Sequence, residues 1–180
     1  MKLRKGSQDA TGLTFGIVAS KFNKFVTSRL LTECVKALTK AGVTDEAIEV
    51  VRVPGAFEIP LVARQLARSG RFDAVLCLGA VIRGDTPHFE YISTEVSRGI
   101  LQASMDSNIP VIFGVLTTDT VAQAIERADP EKLNRGADAA KTAIEMVNVM
   151  RLLKKEGSGE APQPATPSRR AGRSAARPKR

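Results

Sequence analysis

The sequence predicts a three-layer α/β domain, with one sheet of four parallel strands covered on both faces by helices. Three observations predict it. Short runs rich in β-branched residues alternate with stretches of helical spacing between about residues 12 and 155. Each connection between runs is long enough for the crossover that parallel strands need. The third run, Val75-Leu76-Cys77-Leu78-Gly79-Ala80-Val81-Ile82, is apolar almost throughout, as a strand buried on both faces must be.

The first strand is read at Leu13-Thr14-Phe15-Gly16-Ile17-Val18-Ala19, where β-branched and aromatic residues crowd together. Val26, Leu30, Cys34 and Leu38 then recur at the spacing of one helix face, up to Gly42. Ile48 to Val53 is the second strand, and after Pro54-Gly55 a helix runs from Ile59 to Leu66 and closes at Gly70. Ala74 to Ala80 is the third strand, followed by a helix marked by Ile92, Val96, Ile100 and Ala103. Val111 to Leu116 is the fourth, with Thr118 or Asp119 capping a short helix through about Ala128. Leu133, Ala137, Ala140, Ile144, Val147 and Met150 trace one face of a long last helix ending near Lys155.

The 180 residues suffice for one domain with a real core and fall short of two. Residues 1–11 read as an N-terminal segment, 12–156 as the folded domain, and 157–180 as a tail of Pro, Ala, Ser and Arg. The tail has no large apolar residue, so its composition predicts disorder. It also holds much of the charge: its six cations against Glu160 give +5 of the net +8, leaving +3 for the rest. The basic character therefore says little about the folded domain. Nucleic-acid binding is confined to the tail as a secondary reading, against a simple solubilising extension. No apolar run approaches the roughly 20 residues that span a bilayer, and the start, Met1-Lys2-Leu3-Arg4-Lys5, lacks the apolar core of a secretory signal. No membrane association and a cytoplasmic location are expected. Cys34 and Cys77, isolated among apolar neighbours, read as reduced core thiols.

In parallel sheets, ligands bind beyond the carboxyl ends of the strands. There, Gly84-Asp85-Thr86-Pro87-His88 joins the third strand to its helix. Free amides at a helix start favour an anion, the Thr86 hydroxyl adds a donor, and His88, the only histidine, can exchange protons near neutrality. The same residues also read as a capped helix start with a surface histidine, and Asp85 opposes an anion. Gly79 to Gly84 has the spacing of a phosphate loop, but Asp85-Thr86 stands where Lys-Ser/Thr is required. The turn Ser20-Lys21-Phe22-Asn23 lacks the glycines of a dinucleotide site, and one histidine without a cluster of acids makes a poor metal site. No cofactor or metal is expected. Phe22, Phe57 and Phe113, placed at or near strand ends, suit either stacking on a flat heterocycle or core packing. Glu58 suits polyol hydroxyls, and Arg127 suits either a phosphate or solvent at a helix end.

Five segments carry a resemblance. Phe15 to Asn23, Val53-Pro54-Gly55-Ala56-Phe57-Glu58-Ile59-Pro60, Gly79 to Tyr91 with Gly84-Asp85-Thr86-Pro87-His88, Phe113-Gly114-Val115-Leu116-Thr117 and Gln123-Ala124-Ile125-Glu126-Arg127 occur in order and together resemble the 6,7-dimethyl-8-ribityllumazine synthases. The resemblance implies a flavodoxin-like sandwich and the penultimate step of riboflavin biosynthesis. In that step 5-amino-6-(D-ribitylamino)uracil condenses with 3,4-dihydroxy-2-butanone 4-phosphate, releasing phosphate and water. It implies that Phe22 stacks on the pyrimidine, that Ala56, Phe57 and Glu58 hold ring and ribityl chain, and that Ala80, Val81 and Ile82 line the pocket. It assigns the phosphate substrate to Asp85, Thr86 and Arg127, proton transfer to His88, and Phe113 to a neighbouring subunit's site. Arg135 stands where the family usually has lysine and is a candidate phosphate contact. The implied partners are copies of the chain in pentamers, twelve of which build a hollow icosahedral shell in some members, and riboflavin synthase. The short connection between the last two helices favours the shell. A protein that kept the fold without turnover is the main alternative, opposed by the intact His88 and Arg127.

Overall fold

In a computed structural model that describes residues 1–157, and the side chains of residues 1–154, the apolar runs pair into a single sheet with every strand parallel. The strands are β1 (Phe15–Ser20), β2 (Ile48–Val53), β3 (Ala74–Ile82) and β4 (Val111–Thr118), arranged in the order β2-β1-β3-β4. The helices are α1 (Lys24–Lys40), α2 (Ile59–Arg68), α3 (His88–Ser107), α4 (Val121–Ala128) and α5 (Arg135–Gly157). The expected fold class is thus the observed one.

Right-handed crossovers fix the face each helix covers by the direction of travel across the sheet. The chain moves outward from β1 to β2 and then returns past β1 to β3 and β4, so α1 lies opposite α2 and α3. On one face Phe15, Ile17, Leu76, Leu78 and Ile112 pack against Cys34 and Leu38 of α1 and Ala140 and Ile144 of α5. On the other, Val18, Val75, Cys77 and Val115 meet Ile59 and Ala63 of α2 and Val96 and Ile100 of α3. β1 and β3 are buried from end to end, apart from a half-buried Ile82, which accounts for their unbroken apolar sequence. Ahead of β1, Ala10 and Leu13 are buried, and the Asn148 side chain of α5 donates to the Ser7 and Asp9 carbonyls at 3.0 and 2.9 Å.

Several boundaries differ from expectation for local reasons. Leu13 belongs to a turn, its amide donating to Ala10 O at 3.1 Å, and β1 begins at Phe15. β3 and β4 run two residues past their expected ends at Ala80 and Leu116, because Val81 pairs with Thr117 and Ile82 with Thr118 in the parallel ladder. Thr118 is therefore a buried strand residue, and the cap of α4 is Thr120, whose hydroxyl accepts from Gln123 N at 3.2 Å. Phe113 sits third in β4, opposite Cys77, rather than at the strand's carboxyl end. The last helix begins at Arg135, leaving Leu133 outside it. The two cysteines are buried free thiols; loss of hydration pushes Cys34 up to about 12 and raises Cys77 as well. Among the described residues no helix is long and apolar enough to cross a membrane. The expected disordered tail, from Ser158 onward, lies outside the described residues.

Candidate active site

Neighbouring strands β1 and β3 send their chains to helices on opposite faces, so a crevice opens beyond their carboxyl ends, at the point where the strand order reverses. A cavity of about 260 Å³ occupies it, lined by Phe22 and Asn23 after β1, Gly55, Ala56 and Phe57 after β2, and Ala80, Val81 and Ile82 of β3. Gly84, Thr86, His88, Phe89 and Ile92, from the turn after β3 and the first turns of α3, complete the lining.

Each wall is held in place by its own bonds. The turn after β1 is tied to the end of β2 by the Lys21 and Phe22 amides, which donate to Val53 O and Pro54 O at 2.8 and 3.0 Å. Glu58 reaches back at the start of α2 and accepts from Gly55 N at 2.8 Å, which orders the turn that presents Ala56 and Phe57. Pro87 precedes the first residue of α3 and its carbonyl accepts from Glu90 N at 3.2 Å, so His88 opens the helix with its ring exposed to the cavity.

The aromatic residues decide between the two readings open to them. Phe22 is 70% exposed, Phe57 58% and Phe113 46%, so none of the three fills the core. Of these, Phe22 and Phe57 line the cavity, and exposed aromatic rings there suit a flat ligand.

The remaining candidates fall elsewhere. Asp85 and Glu58 flank the cavity in sequence without lining it. Phe113, Arg127 and Arg135 share a second groove, of about 530 Å³, along the outer edge of β4. Arg127 donates to Gln123 O of its own helix at 3.3 Å, and Arg135 pairs with Asp138 at 3.2 Å. A cleft of about 500 Å³ at the amino end of the sheet holds none of the candidates, and Arg151 pairs there with Asp73 at 2.9 Å. Among the described residues no three His, Cys, Asp or Glu side chains gather as a metal site.

Sequence reasoning passed over two residues that build the site. Asn23 lines the cavity and donates from Nδ2 to Ala80 O at 2.9 Å. Arg83 stacks over Phe89 at 4.2 Å, bonds Asp119 at 2.8 Å and pairs with Glu90. Its backbone amide also donates to Thr118 O at 2.9 Å, so the turn after β3 is clamped to the end of β4. The hydrogen bond from Arg83 holds the Glu90 carboxyl below its ordinary 4.5. The only sequence signal for Arg83 was its place between the third strand and the histidine turn.

Residues 12–151 match the family of 6,7-dimethyl-8-ribityllumazine synthase. The chain belongs to that family. It is also similar to the 6,7-dimethyl-8-ribityllumazine synthase of Syntrophus aciditrophicus (strain SB), 60% identical over 149 residues, which cover 83% of this chain and 97% of that one. The family makes the chain a transferase of riboflavin biosynthesis that forms 6,7-dimethyl-8-ribityllumazine from the ribitylaminouracil and the butanone phosphate. Lumazine synthase chemistry asks for alignment of two substrates, anion stabilisation and proton transfer. The switch-point cavity brings exposed aromatic rings, a helix start and a histidine together.

Proposed function

We propose that the switch-point cavity is the lumazine synthase active site and that His88 is its general acid and base. Phe22 and Phe57 sandwich the pyrimidine; Ala56 and Glu58 hold the ring and the ribityl hydroxyls, and Ala80, Val81 and Ile82 form the floor. The butanone phosphate lies with its anion at Asp85 and Thr86, on the amides that open α3. His88 there passes a proton from the attacking amine to the water lost as the imine forms, takes the proton α to the imine as the C–O bond to phosphate breaks, and passes a proton from the second amine to the water lost at ring closure. Phosphate leaves on the side of the helix start, and ring closure completes the product.

The observation that carries this reading is the convergence of Phe22, Phe57, Thr86 and His88, from three separate strand ends, on one cavity. Its volume of about 260 Å³ falls below the roughly 300 Å³ at which ligand pockets begin. Two substrates need more wall than one chain supplies. Phe113, Arg127 and Arg135, gathered on the outer edge of the same chain, are the natural supply for a neighbour's cavity. We therefore place the active site between subunits, with Phe113 closing over the ring and Arg127, assisted by Arg135, reaching the phosphate.

Leu61, Tyr91, Leu101 and Met105, each more than 60% exposed on α2 and α3, support self-association, since so much apolar surface rarely faces solvent. The assembly is a pentamer, with a shell of twelve pentamers as the larger form, and riboflavin synthase as a partner. The catalytic unit is residues 12–156, working in the cytoplasm; light scattering distinguishes pentamer from shell.

The deciding experiment is His88→Ala. Turnover falls by about tenfold or more while binding of the pyrimidine stays within about threefold, as loss of a proton carrier requires. Equal losses in both quantities would place His88 in substrate binding instead.

A further inference from the structure

We infer that Asn23 is a positioning residue for the pyrimidine substrate, acting through the carbonyl of Ala80; this rests on the assignment of the cavity proposed above. β1 and β3 pair only as far as Ala19 and Leu78, whereas β3 continues beside β4 to Ile82. Beyond Leu78 the β3 carbonyls on the β1 side lose their ladder partners. Ala80 O is one of them, at the floor of the cavity, and Asn23 Nδ2 supplies its hydrogen bond at 2.9 Å.

Asn23 makes this bond at the expense of its usual local role. It is the N-cap of α1, a position where an asparagine side chain ordinarily accepts from the helix's own free amides. Here it makes no such cap bond. Its φ of 54° places it in the left-handed region, which asparagine tolerates better than most residues. That backbone turns the amide across the crevice toward β3 while Val26 N and Thr27 N still reach its carbonyl at 2.9 and 3.0 Å.

The consequence is specific to one half of the site. Backbone bonds from Lys21 and Phe22 already fasten the turn to β2, and a backbone bond is available to nearly any sequence. The fastening to β3 depends on a single side chain. It sets the spacing between the Phe22 ring and the floor at Ala80, Val81 and Ile82, into which the pyrimidine must fit. The anion turn at Gly84 to His88 hangs instead from β3 and β4 through Arg83 and is outside its reach.

The test compares Asn23→Gly, which keeps the left-handed turn and removes the amide, with Asn23→Asp, which keeps the shape and removes the donor. Both raise KM for the ribitylaminouracil about tenfold, the effect of losing one such bond. KM for the butanone phosphate stays within about twofold, kcat at saturation within about threefold, and circular dichroism is unchanged. An unaltered pyrimidine KM, an equal rise in both KM values, or a loss confined to kcat overturns the inference. If Asn23→Asp does not fold, Asn23→Gly decides alone. Phe22→Ala serves as the control: should it leave the pyrimidine KM unchanged, the cavity assignment itself fails. A raised value there beside a normal one in Asn23→Gly removes only the role of Asn23.

Discussion

A side chain's exposure separates the residues that hold this protein together from those that serve its chemistry. Phe15 and Phe113 are both strand phenylalanines, yet the first is fully buried and the second half exposed. With Phe113 closing the proposed site, Phe113→Ala is expected to lower kcat/KM about tenfold, and its exposure means little change in melting temperature because no cavity is left. Phe15→Ala should instead destabilise by about 3–5 kcal/mol, read from denaturant unfolding. The cysteines sit on the buried side of this division. With the Cys34 thiol pushed up to about 12 and Cys77 raised too, both stay protonated at neutral pH. A thiol reagent is expected to find neither in the native protein and both after denaturation.

Helices and strands approach one another closely where the sequence is small, as α1 does against α5 at Gly136. A Cβ on Gly136 would collide with the Leu30 carbonyl, backbone that no rotamer change can clear. Gly136→Ala should cost about 1–3 kcal/mol in stability, measured by chemical denaturation. At the carboxyl end of the sheet, the Arg83 clamp joins β3, α3 and the turn before α4 through Phe89, Glu90 and Asp119. Because the folded Glu90 has a lowered pKa, the clamp's contribution is present above the ordinary 4.5 and is lost as pH falls through the depressed value. Acid titration below pH 4.5 should release it in the native protein, and Arg83→Met should lack that step in melting temperature against pH. The element boundaries were legible where the apolar pattern was clear at both ends, as in β2, expected and observed at Ile48–Val53. They failed at the polar ends: Thr117 and Thr118 carry no apolar signal, and only pairing with Val81 and Ile82 makes them strand.

On the scale of the whole molecule, the proposal that the site is shared between subunits is tested directly by a mixing experiment. Assemblies made from His88→Ala and Phe113→Ala subunits should regain about a quarter of wild-type activity, since random pairing reunites intact partners at roughly one site in four. Each variant alone stays low, and failure of the mixture to recover would place the whole site within one chain. Removing residues 158–180, which lie beyond the family match at 12–151, should leave both KM values unchanged. By itself the sequence determined the fold class, because strand burial and crossover length are recorded in apolar runs and their spacing. It also determined the family and most of the cavity lining, from Phe22, Ala56, Phe57 and the turn ending at His88. Only the tertiary structure decided that Phe22, Phe57 and Phe113 are exposed, that Phe113, Arg127 and Arg135 lie apart from His88, and that Asn23 reaches Ala80. Those facts depend on which distant segments meet across a strand order of β2-β1-β3-β4, and local composition does not encode that meeting.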